Sequence, residues 1–162
     1  MNKKALLYFA VLLVIAGVIF WWPSDQKKIK DNLASLAKYC SSEKAESVLE
    51  TVQKVTLAAK LCTDPCTIRF DSFKIDRDFN RKELSDRFLM MKKRLPITEF
   101  TFHDSIIDIA DDNSAQVTTT LRLRGKVIDE QFTDAYELNV TMKKKDGDWL
   151  FSSFTVVEFV QQ

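Results

Sequence analysis

The 162-residue sequence predicts an α+β domain, with three helices laid on one curved antiparallel sheet, behind a single N-terminal transmembrane helix. Three observations carry that expectation. Ala5 to Trp22 is an uncharged apolar run of 18 residues. From Lys27 to Leu95 apolar side chains recur every three or four places, and after Pro96 they recur every second place. Gly and Pro number only three each, too few for a collagenous, linker-rich or low-complexity chain.

The apolar run comes first. At 1.5 Å per residue it reaches about 27 Å, the depth of a bilayer's hydrocarbon core. Lys3 and Lys4 precede it, Trp21 and Trp22 stand where an interfacial aromatic belt belongs, and Pro23 closes it. A cleaved secretory signal is the alternative, but its apolar region is shorter and ends in a small-x-small site, whereas this run ends W-W-P-S-D. The expected organisation is therefore a cytoplasmic stub over 1–4, a signal anchor over 5–22, a linker over 23–26 and a domain over 27–162. The compact basic stub favours a cytoplasmic N-terminus. Lys27, Lys28, Lys30 and Lys38 beyond the span would by themselves favour the reverse. Without the two stub lysines the chain has 22 basic and 23 acidic residues, so the domain has no general attraction for nucleic acid.

In the first half, Ile29, Leu33, Leu36 and Ala37 mark a helix over Lys27 to Tyr39, broken at Ser41-Ser42. Ser42 is a suitable cap for a second helix through Leu61, with Ala45, Val48, Leu49, Val52, Val55 and Ala59 along one stripe. Asp64-Pro65 ends it, because proline cannot continue the hydrogen-bond ladder. Thr67 to Phe73 reads as a short strand. Asn80 caps a third helix in which Leu84, Phe88, Met91 and Leu95 repeat, and Pro96 stops it. Seven basic residues between Arg77 and Arg94, mixed with three acidic ones, read as its solvated face.

The second half alternates. Phe100 and Phe102 open a strand to Ile109, and Asp111-Asp112-Asn113 turns the chain. Ala115, Val117, Thr119, Leu121 and Leu123 form one face of the next strand, then Phe132, Tyr136, Leu138, Val140 and Met142 one face of a third. Asp146-Gly147 is a hairpin signal, since both residues accept the positive φ of a tight turn, and Trp149 to Val160 is the last strand.

This order of elements, closing on D-G-D-W-L-F-S-S-F-T-V-V, resembles the nuclear-transport-factor-2-like superfamily over roughly residues 27–160. Ketosteroid isomerase and the SnoaL-like polyketide cyclases are among its relatives. The resemblance implies a cone-shaped fold whose curved sheet and helices enclose a pocket. It does not imply a chemistry, because the superfamily spans enzymes, transport factors, secretion scaffolds and lipid-handling proteins.

Asp134 is the one candidate for chemistry in such a pocket. It lies between Phe132 and Tyr136 at period two, so alternation points its carboxylate to the apolar face, where it could act as a general base. A strand beginning after Ala135, or a bulge, would turn it to solvent instead. Ketosteroid-isomerase-like members pair such an acid with a tyrosine, for which Tyr39 and Tyr136 are available. No stretch matches that catalytic motif, so no catalytic residue is assigned. Tyr39, Phe132, Asp134 and Tyr136 are the expected pocket residues. His103, the sole imidazole, precedes Asp104, but adjacent strand residues face opposite ways and make no dyad. With one His and three Cys no zinc site is expected, nor any other metal or cofactor.

In an exported domain cysteines can pair. Cys62-Thr-Asp-Pro-Cys66 straddles the expected helix end and is read as a disulfide, with Cys40 left over some 27 Å away at the other end of a helix of about 18 residues. Asn139-Val140-Thr141 fits the glycosylation sequon, relevant only in a eukaryotic secretory route. The expected function is that of a non-enzymatic bacterial inner-membrane protein with its domain in the periplasm. It would contact the bilayer through Ala5 to Trp22 and other envelope proteins, or a second copy, through the domain. Binding of an apolar small molecule or lipid is the alternative, and an isomerase or dehydratase using Asp134 is the third reading.

Overall fold

The computed structural model describes residues 24–127 and 130–159. The expected anchor, Ala5 to Trp22, lies outside them. Among the described residues no helix is long and apolar enough to cross a membrane.

Helix α1, Asp25–Cys40, is capped by Ser24, whose side chain accepts from the Lys27 N–H, and it buries Ile29, Leu33, Leu36 and Cys40 along one stripe. Helix α2 is Val48–Lys60, capped by Ser47 rather than by Ser42. Ser42 is instead buried and exchanges two backbone hydrogen bonds with Thr98, at 2.7 and 2.9 Å, so its backbone is already committed before any helix can start. The late start also corrects the expected apolar stripe. Val55, Ala58 and Ala59 are buried, while Val48, Leu49 and Val52 are 82%, 68% and 46% exposed.

Strand β1, Cys62–Phe70, begins five residues earlier than expected and contains Pro65. Proline is tolerated there because the ladder is interrupted. Along β1 the pairing to the last strand jumps from Cys62↔Phe151 to Thr67↔Ser153, which leaves the residues between out of register. A 3₁₀ turn, Asp71–Phe73, and Lys74 in the left-handed region at φ 54° reverse the chain into β2, Ile75–Phe79, a strand not anticipated from the sequence. Its Asp76, Arg77 and Asp78 are all exposed, so it shows no alternation. Helix α3, Arg81–Arg94, opens on a capping box in which Asn80 accepts from the Glu83 N–H and Glu83 accepts from the Asn80 N–H. Asn80→Ala is expected to lower stability by about 1 kcal/mol, measured by urea unfolding.

Strands β3, Ile97–Asp111, β4, Ser114–Val127, β5, Glu130–Lys145, and β6, Asp148–Phe159, follow as a meander. The turn into β6 has Asp146 and Gly147 at φ 54° and 88°, as the Asp-Gly signal demands. The expected four-stranded antiparallel sheet is in fact six-stranded and mixed, in the order β2-β1-β6-β5-β4-β3, with β1 parallel to β6. The three helices pack against it around a core that includes Ile29, Leu84, Val117, Val140, Met142, Trp149 and Phe151. Asn32 on α1 donates its amide to the Trp149 carbonyl, and Asp25 pairs with Lys144 at 3.0 Å. These contacts fix the first half of α1 beside the β5–β6 turn. Its last turn thereby comes to the opposite end of the sheet, by the start of β3 and the end of β4.

Candidate functional site

That end of the molecule holds a cavity of about 1310 Å³ between α1, the segment 41–46, the start of β3, the end of β4 and the start of β5. Its apolar wall consists of Leu33 and Ala37 from α1, Phe100 and Phe102 from β3, and Phe132 from β5. Phe132 is one of the expected pocket residues. Its position depends on Gly125, its partner across the β4–β5 ladder. A Cβ at Gly125 would stand 2.6 Å from the Phe132 ring and 3.1 Å from the Ile97 carbonyl. Gly125→Val is therefore expected to drive that ring off β4, at a cost of about 1–3 kcal/mol in thermal unfolding.

The polar edge of the cavity is a buried ionic cluster. Lys92 on α3 donates to the Ser41 carbonyl at 3.0 Å, to Ser42 Oγ at 2.6 Å and to Glu46 Oε2 at 3.1 Å, using all three ammonium protons. Lys54 on α2 pairs with the other oxygen of Glu46. The Lys92 and Glu46 side chains are only 3% and 5% exposed, so these bonds offset a real desolvation cost. Burial works to raise the Glu46 carboxyl, and hydrogen bonds from Lys54 and Lys92 outweigh it, holding the group below the usual carboxylate range. Ser41 completes the segment, accepting from the Phe100 N–H at 2.9 Å while donating to the Ala37 carbonyl at 2.7 Å. The cluster thus ties the 41–46 segment to α2, α3 and β3 along one side of the cavity.

Asp134 and Tyr136 have the expected orientation. They are half-buried on the face of β5 that carries Phe132 and Leu138, opposite Leu123 and Leu121 of β4. The strand begins at Glu130, so Asp134 is inside it and is not turned outward. The two side chains hydrogen-bond one another. Burial, and then the Asp134 charge, push the Tyr136 hydroxyl above its ordinary value. Phe70 stands edge-on to the Tyr136 ring at 5.9 Å. Neither Asp134 nor Tyr136 lines the cavity, however, and nor does the half-buried Tyr39. Of the four expected pocket residues, the structure places one there. His103 is exposed and shares a hydrogen bond with Thr101 at 2.9 Å, next to a bulge where Asp104 adopts φ 52°.

All three cysteines are buried and free. Cys62 and Cys66, expected as a disulfide, are two thiols in contact. Interaction with Cys66, followed by burial, pushes the Cys62 thiol far up. Cys40 is not at a remote helix end, as the sequence suggested. It belongs to the same apolar cluster and lies near enough to Cys62 to add to that shift, while burial pushes its own thiol up to about 12.

Lys92, Glu46 and Gly125 were missed by sequence reasoning, and Ser42 was read only as a helix cap. Lys92 did leave a signal: it follows Leu84 and Phe88 at four-residue steps, so it sits within the apolar stripe of α3 and not on the solvated face. Among the described residues no group of His, Cys, Asp and Glu could hold a metal ion.

No family model and no curated protein match the sequence. Solved structures do match the fold. The Kfla4162 protein from Kribbella flavida superposes with a TM-score of 0.69 at 13% identity, over 82% of this chain and 89% of that one. A candidate dehydratase of the NTF2-like family from Streptomyces avermitilis gives 0.67 at 8% identity, over 85% and 98%. A candidate scytalone dehydratase from Novosphingobium aromaticivorans gives 0.60 at 13% identity, over 84% and 81%. At such identities the likeness establishes architecture and leaves chemistry open. The described part of the chain has the nuclear-transport-factor-2-like α+β fold.

Proposed function

We propose that the chain is a non-catalytic envelope protein whose domain, held at the membrane by Ala5 to Trp22, binds another envelope protein. The apolar N-terminal half of α2 carries this reading. Val48, Leu49 and Val52 stand largely in solvent on an ordered helix, an arrangement that a partner surface would explain and solubility alone disfavours. The cavity begins at the same segment, since Glu46 and Glu50 are in its lining. The partner would be another single-pass protein of the same membrane, because the expected anchor confines both to one surface.

The test uses the full chain in its native membrane, with a photo-crosslinking residue at Leu49 and, as a control, at the exposed Asp112 on the β3–β4 turn. A discrete adduct from position 49 only is expected. Equal labelling from both positions, or monomer alone, would overturn the reading. Carbonate extraction that releases the chain would remove its membrane half.

A second reading, an apolar small molecule or lipid held in the cavity, is favoured by the Leu33, Ala37, Phe100, Phe102 and Phe132 wall. Native mass spectrometry of the detergent-extracted chain, with laurate as the added probe, is expected to show a one-to-one complex that Phe100→Glu abolishes. The third reading, isomerase or dehydratase chemistry at Asp134, draws support from the Tyr136 contact and from the names of two fold neighbours. Unchanged behaviour of Asp134→Asn in cells would eliminate it.

A further inference from the structure

We infer that Cys62 and Cys66 form an intrachain disulfide that closes the bulge in β1 when the domain folds in an oxidising compartment. In an unbroken strand residues four apart are about 13 Å apart, out of reach of a disulfide. Here the ladder is broken between them. From Cys62↔Phe151 to Thr67↔Ser153, β1 advances five residues while β6 advances two. Two residues of strand span about 7 Å, and Cys66 falls one residue short of that point. The bulge therefore shortens the Cys62–Cys66 separation well below that of an unbroken strand, toward the roughly 4.4–6.8 Å of bridged Cα atoms.

Their side chains share one side of the strand. Both residues are fully buried, whereas Asp64 and Pro65 between them are exposed. Cys66 is the largest influence holding the Cys62 thiol protonated, and Cys62 donates to the Ala58 carbonyl at the end of α2, at 3.8 Å. Cys66 is fixed from the other side by pairing with Phe79 on β2. The bond would thus join the residue that leaves α2 to the first residue of the β1–β2 ladder.

The oxidant is a small-molecule disulfide such as oxidised glutathione. Cys62, after losing its proton to water, attacks one sulfur of that disulfide. A mixed disulfide forms and one glutathione thiolate leaves. Cys66 thiolate then attacks the Cys62 sulfur and releases the second glutathione. Two protein thiols are oxidised, one glutathione disulfide is reduced to two thiols, and the two protons pass to them. In the native fold both groups are buried and the Cys62 thiol is held protonated, so the exchange belongs to the folding chain, before β1 is enclosed. The inference is independent of the partner surface on α2.

The full chain in detergent micelles, unfolded in urea with reductant, is refolded with a mixture of reduced and oxidised glutathione. It is then alkylated with iodoacetamide in denaturant and weighed intact. One alkylation, mapped to Cys40, with Cys62 and Cys66 recovered as a linked peptide, is the expected result. Three alkylations, or a linkage involving Cys40, would overturn the proposal. Cys40→Ser should show no alkylation and Cys66→Ser should show two. Adding reductant should lower the melting temperature of the wild type and of Cys40→Ser by roughly 4–8 °C and leave Cys66→Ser unchanged. A reduced form that melts at or above the oxidised one would show that the bond does not fit the native bulge.

Discussion

Phe151→Ala is expected to cost about 3–5 kcal/mol, enough to leave a domain of this size close to unfolding at room temperature. Phe151 is fully buried and is the residue at which three parts of the chain meet. Its backbone N–H donates to the Leu61 carbonyl at 2.9 Å, its neighbour across the parallel ladder is Cys62, and across the antiparallel ladder it faces Met142. Its ring lies 5.3 Å from that of Phe154. An alanine leaves a void that this junction, tied on two sides by backbone hydrogen bonds, cannot collapse to fill. Urea unfolding followed by Trp149 fluorescence measures the loss. Phe151→Leu, which keeps most of the volume, should lose less than half as much.

Lys92→Met should cost about 2–4 kcal/mol, even though it replaces a charge by an apolar chain of similar length. The reason lies in what remains. Glu46 keeps Lys54 but loses the partner that saturates its second oxygen, and the Ser41 carbonyl and Ser42 hydroxyl lose their strongest donor. Pairing Lys92→Met with Glu46→Gln should cost less than the sum of the two, because the second change relieves the charge exposed by the first. The same cluster sets the response to acid. The Glu46 carboxyl is lower in the folded chain than in the unfolded one, so its contribution is complete above the unfolded value, roughly 4.3. It is lost as pH falls through the folded value. Glu46→Gln should therefore be less stable than wild type at neutral pH, and the difference should shrink as the solution is acidified through that window.

Much of the architecture could be read from the sequence because the relevant signals are local. Asn80 with Glu83, Asp146 with Gly147, and the alternation from Ala115 to Leu123 each specify their own conformation within a few residues. The β1–β2 hairpin could not be read this way. Asp76, Arg77 and Asp78 bury nothing, and β2 exists because β1 offers it a ladder. The start of α2 was misplaced for a similar reason. Ser42 has the chemistry of a cap, but Thr98, 56 residues later, claims its backbone.

The candidate site was less legible than the fold. Alternation gave Asp134 and Phe132 the right face, yet a face is not a cavity. The cavity's extent depends on how α1 and the 41–46 segment lie against β3, which is a tertiary fact. The buried charge of Lys92 was visible as an interruption of a stripe, but its acceptors come from residues some fifty positions earlier.

The parallel pairing of β1 with β6 also bears on synthesis. Cys62 meets its neighbour Phe151 only after 89 further residues have been made. Until then the hairpin of β1 and β2 has no sheet to join. Assembly of this edge must therefore wait for β6, a high-contact-order step that favours slow completion over gradual folding from the N-terminus.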